Sequence, residues 1–529
     1  MKKKPAPVSE QPLSPALRRY LYFSAACTGA AIMIIEILGA KMLAPFFGTS
    51  HFVWTAQIGV TLLALATGYY AGGRLVDRNP RLSRIYACVL IAAIYLGLTI
   101  VIVEPVSYWC LKFKLALGSL IAALFLFFVP LALLAMVGPF LVRVLTVSVE
   151  NVGGIIGRLT AISTLGSVVG TVLIGYVVVP FLPNSKTMYC TSGFLMAIVA
   201  AYFFLWETAK GASPAAAVGI AFGLLLGYGG TTKEKLVRTS TTDELYRANS
   251  NFGLLQVTQH KGSSERYYYN DYLVQNIYDP VQKKSLALFT YALHQLAHAY
   301  TPRLERALCI GLGVGIVPMQ FAREGVKVDV VEINPGVVAV ATNHFDCEIE
   351  KLNLFIGDGR HFVNDTQEKY DTIILDAFLG DSSPSHLMTT NAFGAMRRIL
   401  KENGTLVINS FGSFEPGRDY FTASLEKTLR QVFKSVRAHS DGSGGTVNVF
   451  FVASDQPDLR PLKEPDFETV HPHVRQRARS AYASSRTSDP AHGIVLTDDY
   501  NPIEFYDAAT REEHRRSLAL YMPLHSRSR

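Results

Sequence analysis

Long apolar runs occupy most of the first 230 residues of this chain. A helix that crosses the hydrocarbon core of a bilayer needs about 20 consecutive apolar residues. Residues 231–529 instead have the mixed composition of an ordinary soluble protein. The sequence therefore predicts a tail at 1–19, an α-helical polytopic membrane domain at 20–230, and then a soluble half. The candidate spans are 20–43, 53–73, 85–103, 117–142, 159–180 and 187–206, with a shorter seventh run at 214–230.

Basic residues near these runs predict how the spans are oriented. Cytoplasmic loops of membrane proteins carry an excess of Lys and Arg. The tail at 1–19 contains five such residues, and the loop at 74–84 contains four arginines. Both segments are therefore expected in the cytoplasm. Charges of this kind account for much of the net charge of +8, which is no argument for a nucleic-acid partner.

Glu36 lies inside the first apolar run, with Lys41 five residues later. A carboxylate at membrane depth is costly and normally faces a partner or a water-filled cavity. Two interpretations fit this residue. It could form a site for a cationic solute, or it could pair with Lys41 or an arginine and so fix the packing of the helices.

The cysteines indicate no metal or redox chemistry. Four of them lie in or beside the apolar runs, and two lie in the soluble half: Cys27, Cys88, Cys110, Cys190, Cys309 and Cys347. No two form a C-x-x-C pair. The sequence therefore predicts no metal site and no disulfide framework.

The soluble half changes from a β-rich segment to alternating strands and helices. Residues 240–280 contain short β-type runs separated by turn residues, which predict a small antiparallel β-domain. Residues 281–455 alternate between strand and helix patterns joined by short loops. This alternation predicts an α/β domain with a mostly parallel, doubly wound, Rossmann-like sheet. Residues 456–529, with scattered Pro, Arg and Ser, are expected to form a surface excursion and a tail.

Four short strand patterns between Cys309 and Asp376 each end in a glycine turn or a carboxylate. The first ends in Gly311-Leu312-Gly313-Val314-Gly315, and the others end at Glu332, Asp358 and Asp376. The carboxyl ends of the strands are where open α/β sheets bind ligands. A glycine turn lets a ligand approach the backbone closely. An acidic residue about 20 residues later can accept hydrogen bonds from the hydroxyls of a ribose. We therefore expect a nucleoside site along this edge of the sheet.

The residues around the glycine turn indicate which kind of nucleoside binds. Gly315 follows Gly313 by two residues, whereas the dinucleotide fingerprint G-x-G-x-x-G has three. No Lys or Arg precedes Arg323 on the helix after the turn, so a phosphate group lacks a basic partner there. The acidic strand ends favour a nucleoside that has no phosphates and carries a cation, such as the sulfonium of S-adenosylmethionine or a relative.

Together with Gln275 in the β-rich segment, these motifs resemble the spermidine/spermine synthase (aminopropyltransferase) family. The shared positions are Gly311 to Gly315, Val331-Glu332-Ile333-Asn334, Gly357-Asp358-Gly359 and Leu375-Asp376. The whole chain is similar to the membrane-fused bacterial members of that family. The resemblance implies that Glu332 binds the ribose and that Asp358 contacts the adenine. It also implies that the donor site includes Gln275, Gly311, Gly313, Gly315 and Gly359.

The resemblance also implies a reaction. Decarboxylated S-adenosylmethionine would give its aminopropyl group to an amine acceptor, with Asp376 as the catalytic carboxylate that helps to deprotonate and position the amine. The donor is a cosubstrate, and no tightly bound cofactor is expected. Two alternatives remain open. One is methyl transfer from ordinary S-adenosylmethionine on the same fold, and the other is a transporter or sensor whose soluble domain binds the nucleoside without turnover.

The amine side of the site departs from the family pattern. The family has Tyr-His-Glu before the glycine turn, where this chain has Tyr291-Ala292-Leu293-His294. The family's Asp-x-x-Asp is replaced by Asp376 and Asp381, five residues apart. Tyr291, His294 and Asp381 are therefore the candidates for contacts with the amine. The alternative acids are Asp271, Asp498 and Asp499, each of which also fits a turn.

The resemblance bears on location as well. Such nucleosides are made in the cytosol, so the enzyme domain is expected on the cytoplasmic side of a bacterial inner (plasma) membrane. This requires an even number of spans, with 214–230 re-entrant or interfacial, or with an additional crossing in a long segment such as 115–145. The expected partners are a small amine and the lipid bilayer, with a homodimer as a compatible assembly and no nucleic acid.

Overall fold

A computed structural model describes residues 13–506, apart from 49–50, 147–151, 180, 208–212, 251, 272, 379–383 and 443, together with residues 508, 512 and 513. The chain divides into two compact units. The first unit comprises 1–43, 54–107 and 119–234, and it is helical where it is described. The second comprises 44–53, 108–118 and 235–529, and it contains the strands.

Long apolar helices form the N-terminal half. They are α1 (Pro15–Phe47), α2 (His51–Arg78), α3 (Leu82–Cys110), α4 (Leu115–Ala135), α5 (Val137–Leu145), α6 (Val152–Val172), α7 (Asn184–Trp206) and α8 (Ser213–Thr241). A π-helical stretch, Leu173–Val178, continues α6. Within the described ranges, seven helical segments are long and apolar enough to cross a membrane, counting α4 and α5 as one. The seventh is Pro214–Thr232, so the number is odd where the sequence favours an even one.

Small residues allow two of these helices to pack closely. A Cβ atom added at Gly166 of α6 would lie 2.1 Å from the carbonyl oxygen of Ala26 on α1, and one at Gly170 would lie 2.6 Å from that of Ala30. Glycines four residues apart let helix backbones approach in this way. The half-buried Glu36 on α1 faces Thr61 on α2, and both interpretations of this carboxylate remain hypotheses.

An antiparallel sheet begins the C-terminal half. Its strands are β1 (Thr242–Ser250), β2 (Gly253–His260), β3 (Arg266–Asn270), β4 (Leu273–Asp279) and β5 (Lys284–Ser285), arranged in sequence order. Helix α9 (Leu288–Tyr300) follows. Buried Leu255, Val257 and Tyr268 of the sheet pack into one apolar core with α9 and with the larger sheet that follows.

Alternating strands and helices form the larger sheet. The strands are β6 (Arg306–Ile310), β7 (Lys327–Glu332), β8 (Asn353–Ile356), β9 (Tyr370–Leu375), β10 (Leu400–Gly412), β11 (Ser435–Ser440), β12 (Val447–Ser454) and β13 (Ser485–Arg486). The helices are α10 (Ile316–Arg323), α11 (Pro335–His344), α12 (Gly359–Asp365), α13 (Thr390–Ile399), α14 (Tyr420–Val432) and α15 (Pro472–Ala483). The C-terminal part of the chain therefore has a Rossmann-like fold of the methyltransferase type.

The order of the strands creates a crevice at one edge of this sheet. The order is β13-β11-β12-β10-β9-β6-β7-β8, and the five strands from β10 to β8 are parallel. The chain proceeds from β6 to β7 and β8 on one side and then to β9 and β10 on the other. The sheet therefore has a topological switch point between β6 and β9. Ligands of open α/β sheets bind at such a point, beyond the carboxyl ends of the strands.

Candidate active site

A cavity of about 190 Å³ lies at the switch point, beyond the carboxyl ends of β6, β7, β8 and β9. Most of the residues that the sequence proposes for the donor and for catalysis line it: Gln275, Gly311, Gly313, Glu332, Asp358, Gly359 and Asp376. Gly315 is not among the lining residues. The structure thus brings together seven positions that are spread over about 100 residues of sequence.

In the turn after β6, two of the three glycines have a positive φ angle and also lack the space for a Cβ atom. Gly311 has a φ angle of +102°, and a Cβ atom there would lie 2.3 Å from the carbonyl oxygen of Asp376. Gly315 has a φ angle of +81°, and its Cβ atom would lie 2.5 Å from Sγ of Cys347. At Gly313, by contrast, no described atom lies within 4 Å of the Cβ position. The two outer glycines are required by packing, whereas Gly313 leaves open space toward the cavity.

Glu332 at the end of β7 holds the turn in place. Its Oε2 accepts a hydrogen bond from the N–H of Leu312 at 2.9 Å, and its Oε1 accepts one from the N–H of Asn334 at 2.8 Å. Burial raises the pKa of Glu332, and these backbone hydrogen bonds offset part of that effect. A carboxylate has about four lone-pair positions. The backbone hydrogen bonds do not use all of these positions, so Glu332 can still accept a hydrogen bond from a ligand in the cavity.

Asp358 caps the N-terminus of α12. Its Oδ1 accepts hydrogen bonds from the N–H groups of Arg360 at 2.9 Å and His361 at 3.1 Å. Its Oδ2 lies 3.0 Å from Nε2 of His386. Although burial acts in the opposite direction, the hydrogen bonds from His361, His386 and Arg360 together lower the pKa of Asp358. The side chain is therefore an ionised acceptor with a fixed orientation at the cavity wall.

Asp376 is the first residue after β9, and its N–H donates to the carbonyl oxygen of Ile310 at 3.0 Å. Its Oδ1 accepts a hydrogen bond from Nδ2 of Asn409 at 2.9 Å. Burial raises the pKa of Asp376 to about 6, and the hydrogen bond from Asn409 opposes this rise. A carboxyl group that titrates this close to neutral pH is suited to accept a proton from a reacting group.

Two cavity residues that matter to these carboxylates were not foreseen from the sequence. Asn409 is buried near the end of β10, and its Oδ1 has no hydrogen-bond partner among the described residues. It could have been found by the same rule that identified Asp376, because it is a polar residue at the end of an apolar strand. His386 lies in a short 3-10 turn, Ser385–Leu387, for which the sequence carries no comparable signal.

Two of the residues expected to contact the amine lie outside the cavity. Tyr291 is buried, and its hydroxyl donates to the carbonyl oxygen of Ser285 at 2.8 Å. Nε2 of His294 lies 2.9 Å from Oε1 of Glu324. The helix face that lines the cavity contains Phe289 and Thr290 instead. The side chains of Tyr291 and His294 contact Ser285 and Glu324 instead of lining the cavity, and their contact with the amine stays a prediction.

The other acidic candidates are Asp381, Asp271, Asp498 and Asp499, of which the structure describes the last three. Asp381 lies outside the described residues. Asp271 accepts a hydrogen bond from the N–H of Leu254 at 2.9 Å, and Asp498 pairs with Arg360 at 2.8 Å. Asp499 is exposed. None of the last three is among the residues that line the cavity.

Comparisons with known proteins identify relatives of the chain. A family model described as the spermine/spermidine synthase domain matches residues 288–440. The chain is 32% identical over 232 residues to a polyamine aminopropyltransferase of Vibrio vulnificus, in a match that covers 42% of this chain and 77% of that relative.

Two further matches are more distant or shorter. The chain is 29% identical over 181 residues to an N-terminal histidine N-methyltransferase of Emericella nidulans, covering 33% of this chain and 32% of that relative. It thus spans about a third of the methyltransferase. A solved structure of spermidine synthase from Thermotoga maritima matches with 16% identity and a TM-score of 0.35, over 47% of this chain and 82% of that one.

Proposed function

Since the chain belongs to the spermine/spermidine synthase family of transferases, we propose that it moves an aminopropyl group from decarboxylated S-adenosylmethionine to a small amine. The observation that carries this proposal is the convergence of Glu332, Asp358 and Asp376 on one cavity at the switch point. The donor has a sulfonium cation and the acceptor has ammonium groups. Three carboxylates around one cavity favour both molecules electrostatically.

The donor is bound by residues whose hydrogen bonds leave capacity for it. The remaining acceptor capacity of Glu332 takes hydrogen bonds from the ribose. The open side of Gly313 lets the nucleoside approach the backbone. Asp358, held by His361 and His386, is the acceptor for the amino group of the adenine.

Asp376 is the base of the proposed reaction. The lone pair of the acceptor nitrogen attacks the propyl carbon that is bonded to sulfur. The carbon–sulfur bond breaks, its electron pair goes to the sulfonium sulfur, and methylthioadenosine leaves as a neutral thioether. The proton of the attacking nitrogen passes to Asp376, whose carboxylate is held by Nδ2 of Asn409.

Methyl transfer from ordinary S-adenosylmethionine is the second candidate, and the match to a histidine N-methyltransferase supports it. Ordinary S-adenosylmethionine carries a carboxylate that its decarboxylated form lacks. Among the described residues that line the cavity there is no Lys or Arg, while three are carboxylates. A further carboxylate in this cavity would be repelled. The decarboxylated donor is therefore favoured.

The products distinguish the two reactions. Full-length protein purified in detergent is incubated with either donor and with a set of diamines and polyamines, and the products are identified by mass spectrometry. We expect methylthioadenosine and an aminopropylated amine from the decarboxylated donor alone. Formation of S-adenosylhomocysteine and a methylated product from the ordinary donor would establish methyl transfer instead.

The helical half is proposed to span a bacterial plasma membrane seven times. With the basic tail and the loop at 74–84 in the cytoplasm, seven spans leave the soluble half on the outer side. Placement in the cytoplasm, where the donor is made, requires an even number of spans. The number of spans follows from the length and composition of the helices. The cytoplasmic placement depends instead on the assumption that the donor is available only where it is made. We therefore give more weight to the count, and the donor then has to reach the outer side.

Reporter fusions decide between these two placements. A reporter after residue 238 is expected to be active as alkaline phosphatase and dark as green fluorescent protein, because the former folds only outside the cytoplasm. A fusion within the loop at 74–84 serves as the cytoplasmic control and should give the opposite pattern. Fluorescence from the fusion after residue 238 would mean an even number of spans and a cytoplasmic enzyme domain.

A further inference from the structure

Outside the cavity, α9 and α10 bring two histidines and a glutamate together. His294 and His298 are one turn apart on α9, so their side chains lie on the same face of the helix. Glu324 is the C-cap residue of α10, which follows the glycine turn. Neither histidine and no atom of Glu324 lines the cavity, so the cluster is separate from the candidate active site.

The three side chains converge on one small volume. Nε2 of His294 lies 2.9 Å from Oε1 of Glu324, and Nε2 of His298 lies 2.6 Å from Oε2 of the same carboxylate. One ligand atom from each of the three residues lies within 4.8 Å of the other two. Both imidazoles thus point Nε2 at one carboxylate. The three side chains together could bind a single ion.

One of these nitrogens lacks a hydrogen-bond partner of its own. Nε2 of His294 is buried, and within the described part of the chain no group forms a hydrogen bond of acceptable geometry with it. Its close polar neighbour is Oε1 of Glu324, at 2.9 Å. A buried polar atom that no protein group satisfies is commonly paired with a water molecule or an ion.

The packing around the rings restricts their movement. The ring of Phe321 on α10 lies with its centroid 4.8 Å from that of His294 and 5.8 Å from that of His298. The side chains of His294 and His298 are only 15% and 22% exposed, while Glu324 is 40% exposed. The two nitrogen ligands are therefore held in place, and the carboxylate faces the solvent from which an ion would enter.

We propose that His294, His298 and Glu324 form a binding site for a divalent transition-metal ion, with Zn²⁺ as the best fit. Two imidazoles and one carboxylate are a ligand set that zinc uses in proteins, with water in the fourth position. Nitrogen ligands favour zinc over the hard cations Mg²⁺ and Ca²⁺, which prefer oxygen. The ion would tie the end of α10 to α9. Since Gly315 of the glycine turn is the N-cap of α10, the site supports the helix that follows this turn.

Zinc binding to the full-length protein in detergent tests this site. The protein is treated with a chelator, desalted, and dialysed against micromolar Zn²⁺ alone, and bound zinc is measured by inductively coupled plasma mass spectrometry. We expect one zinc ion more per chain in the wild type than in His298→Gln. We also expect zinc to raise the Tm of the wild type by about 5 °C, because it binds only the folded state, and to leave the Tm of His298→Gln unchanged.

The matched control is His361→Gln. His361 also pairs with a carboxylate, that of Asp365, but it is 80% exposed and belongs to no such three-residue cluster among the described residues. This variant should bind as much zinc as the wild type. The Tm of each metal-free variant shows whether it is folded. Equal zinc binding by the wild type and a folded His298→Gln, or no binding by the wild type, would overturn the proposal whatever the reaction of the cavity is.

Discussion

Replacement of Asp376 by asparagine is expected to lower kcat by a factor of about 10²–10⁴, the usual contribution of a general base. Asparagine has nearly the same shape and can still accept the hydrogen bond from Nδ2 of Asn409. The loss would therefore come from the missing proton acceptor and not from altered packing. The measurement is kcat with the decarboxylated donor at saturating amine, with donor affinity determined separately and expected to change little.

The same substitution should make the protein more stable, which a structural role for this carboxylate would not allow. Burial raises the pKa of Asp376 from its ordinary 3.8 to about 6, and a difference of this size corresponds to about 3 kcal/mol. The raised pKa means that an ionised Asp376 lowers the free energy of unfolding. This destabilisation is present above the folded-state pKa and absent below the unfolded-state pKa. At pH 7.5 we expect a higher Tm for Asp376→Asn, and below pH 4 we expect the difference to vanish. A lower Tm at pH 7.5 would contradict the assignment.

The pH dependence of the rate checks the same group. As the pH falls through about 6, Asp376 takes up a proton and the wild-type rate should fall about tenfold per pH unit. Protonation of the amine acceptor also lowers the rate, but it does so equally in Asp376→Asn. The ratio of the two rates removes that contribution, so a ratio that stays constant between pH 5 and 8 would rule out Asp376 as the base.

Replacement of Gly311 by alanine is expected to destabilise the soluble half by more than about 3 kcal/mol, since a positive φ angle and a steric clash act together. The φ angle of +102° is unfavourable for any residue with a Cβ atom, and that atom would lie 2.3 Å from the carbonyl oxygen of Asp376. For a domain of this size, such a loss lowers Tm by about 10 °C. Thermal unfolding measures it, and activity should be lost because the clash displaces Asp376.

Alanine variants of two other glycines distinguish the effect of the steric clash on stability from the effect of backbone strain. Gly417 also has a positive φ angle, +82°, but no described atom lies within 4 Å of its Cβ position and it does not line the cavity. Its alanine variant should lose about 1 kcal/mol and keep full activity. Gly313→Ala should be equally mild in stability but should weaken donor binding, because its Cβ atom points into open space at the cavity. If Gly311→Ala were no less stable than Gly417→Ala, the close approach of β6 to β9 at this point would be wrong.

The amine side of the site could not be read from local patterns. The sequence predicts α9 from the spacing of its apolar residues, but it does not say which element each face of the helix meets. Tyr291 turns toward Ser285, and His294 turns toward Glu324, 30 residues away. Asn409 reaches Asp376 because β10 pairs with β9, and His386 reaches Asp358 from a turn between β9 and α13.

The sequence by itself determined the two halves of the chain, the Rossmann-like class of the second half, and the carboxylates at its strand ends. Each of these depends on spacing along the chain, namely the length of apolar runs and the alternation of strands and helices. Only the tertiary structure decided the order of the strands, and with it the cavity between β6 and β9, the partner that holds Asp376, and the cluster at Glu324. These depend on contacts between residues far apart in sequence, which local periodicity does not encode.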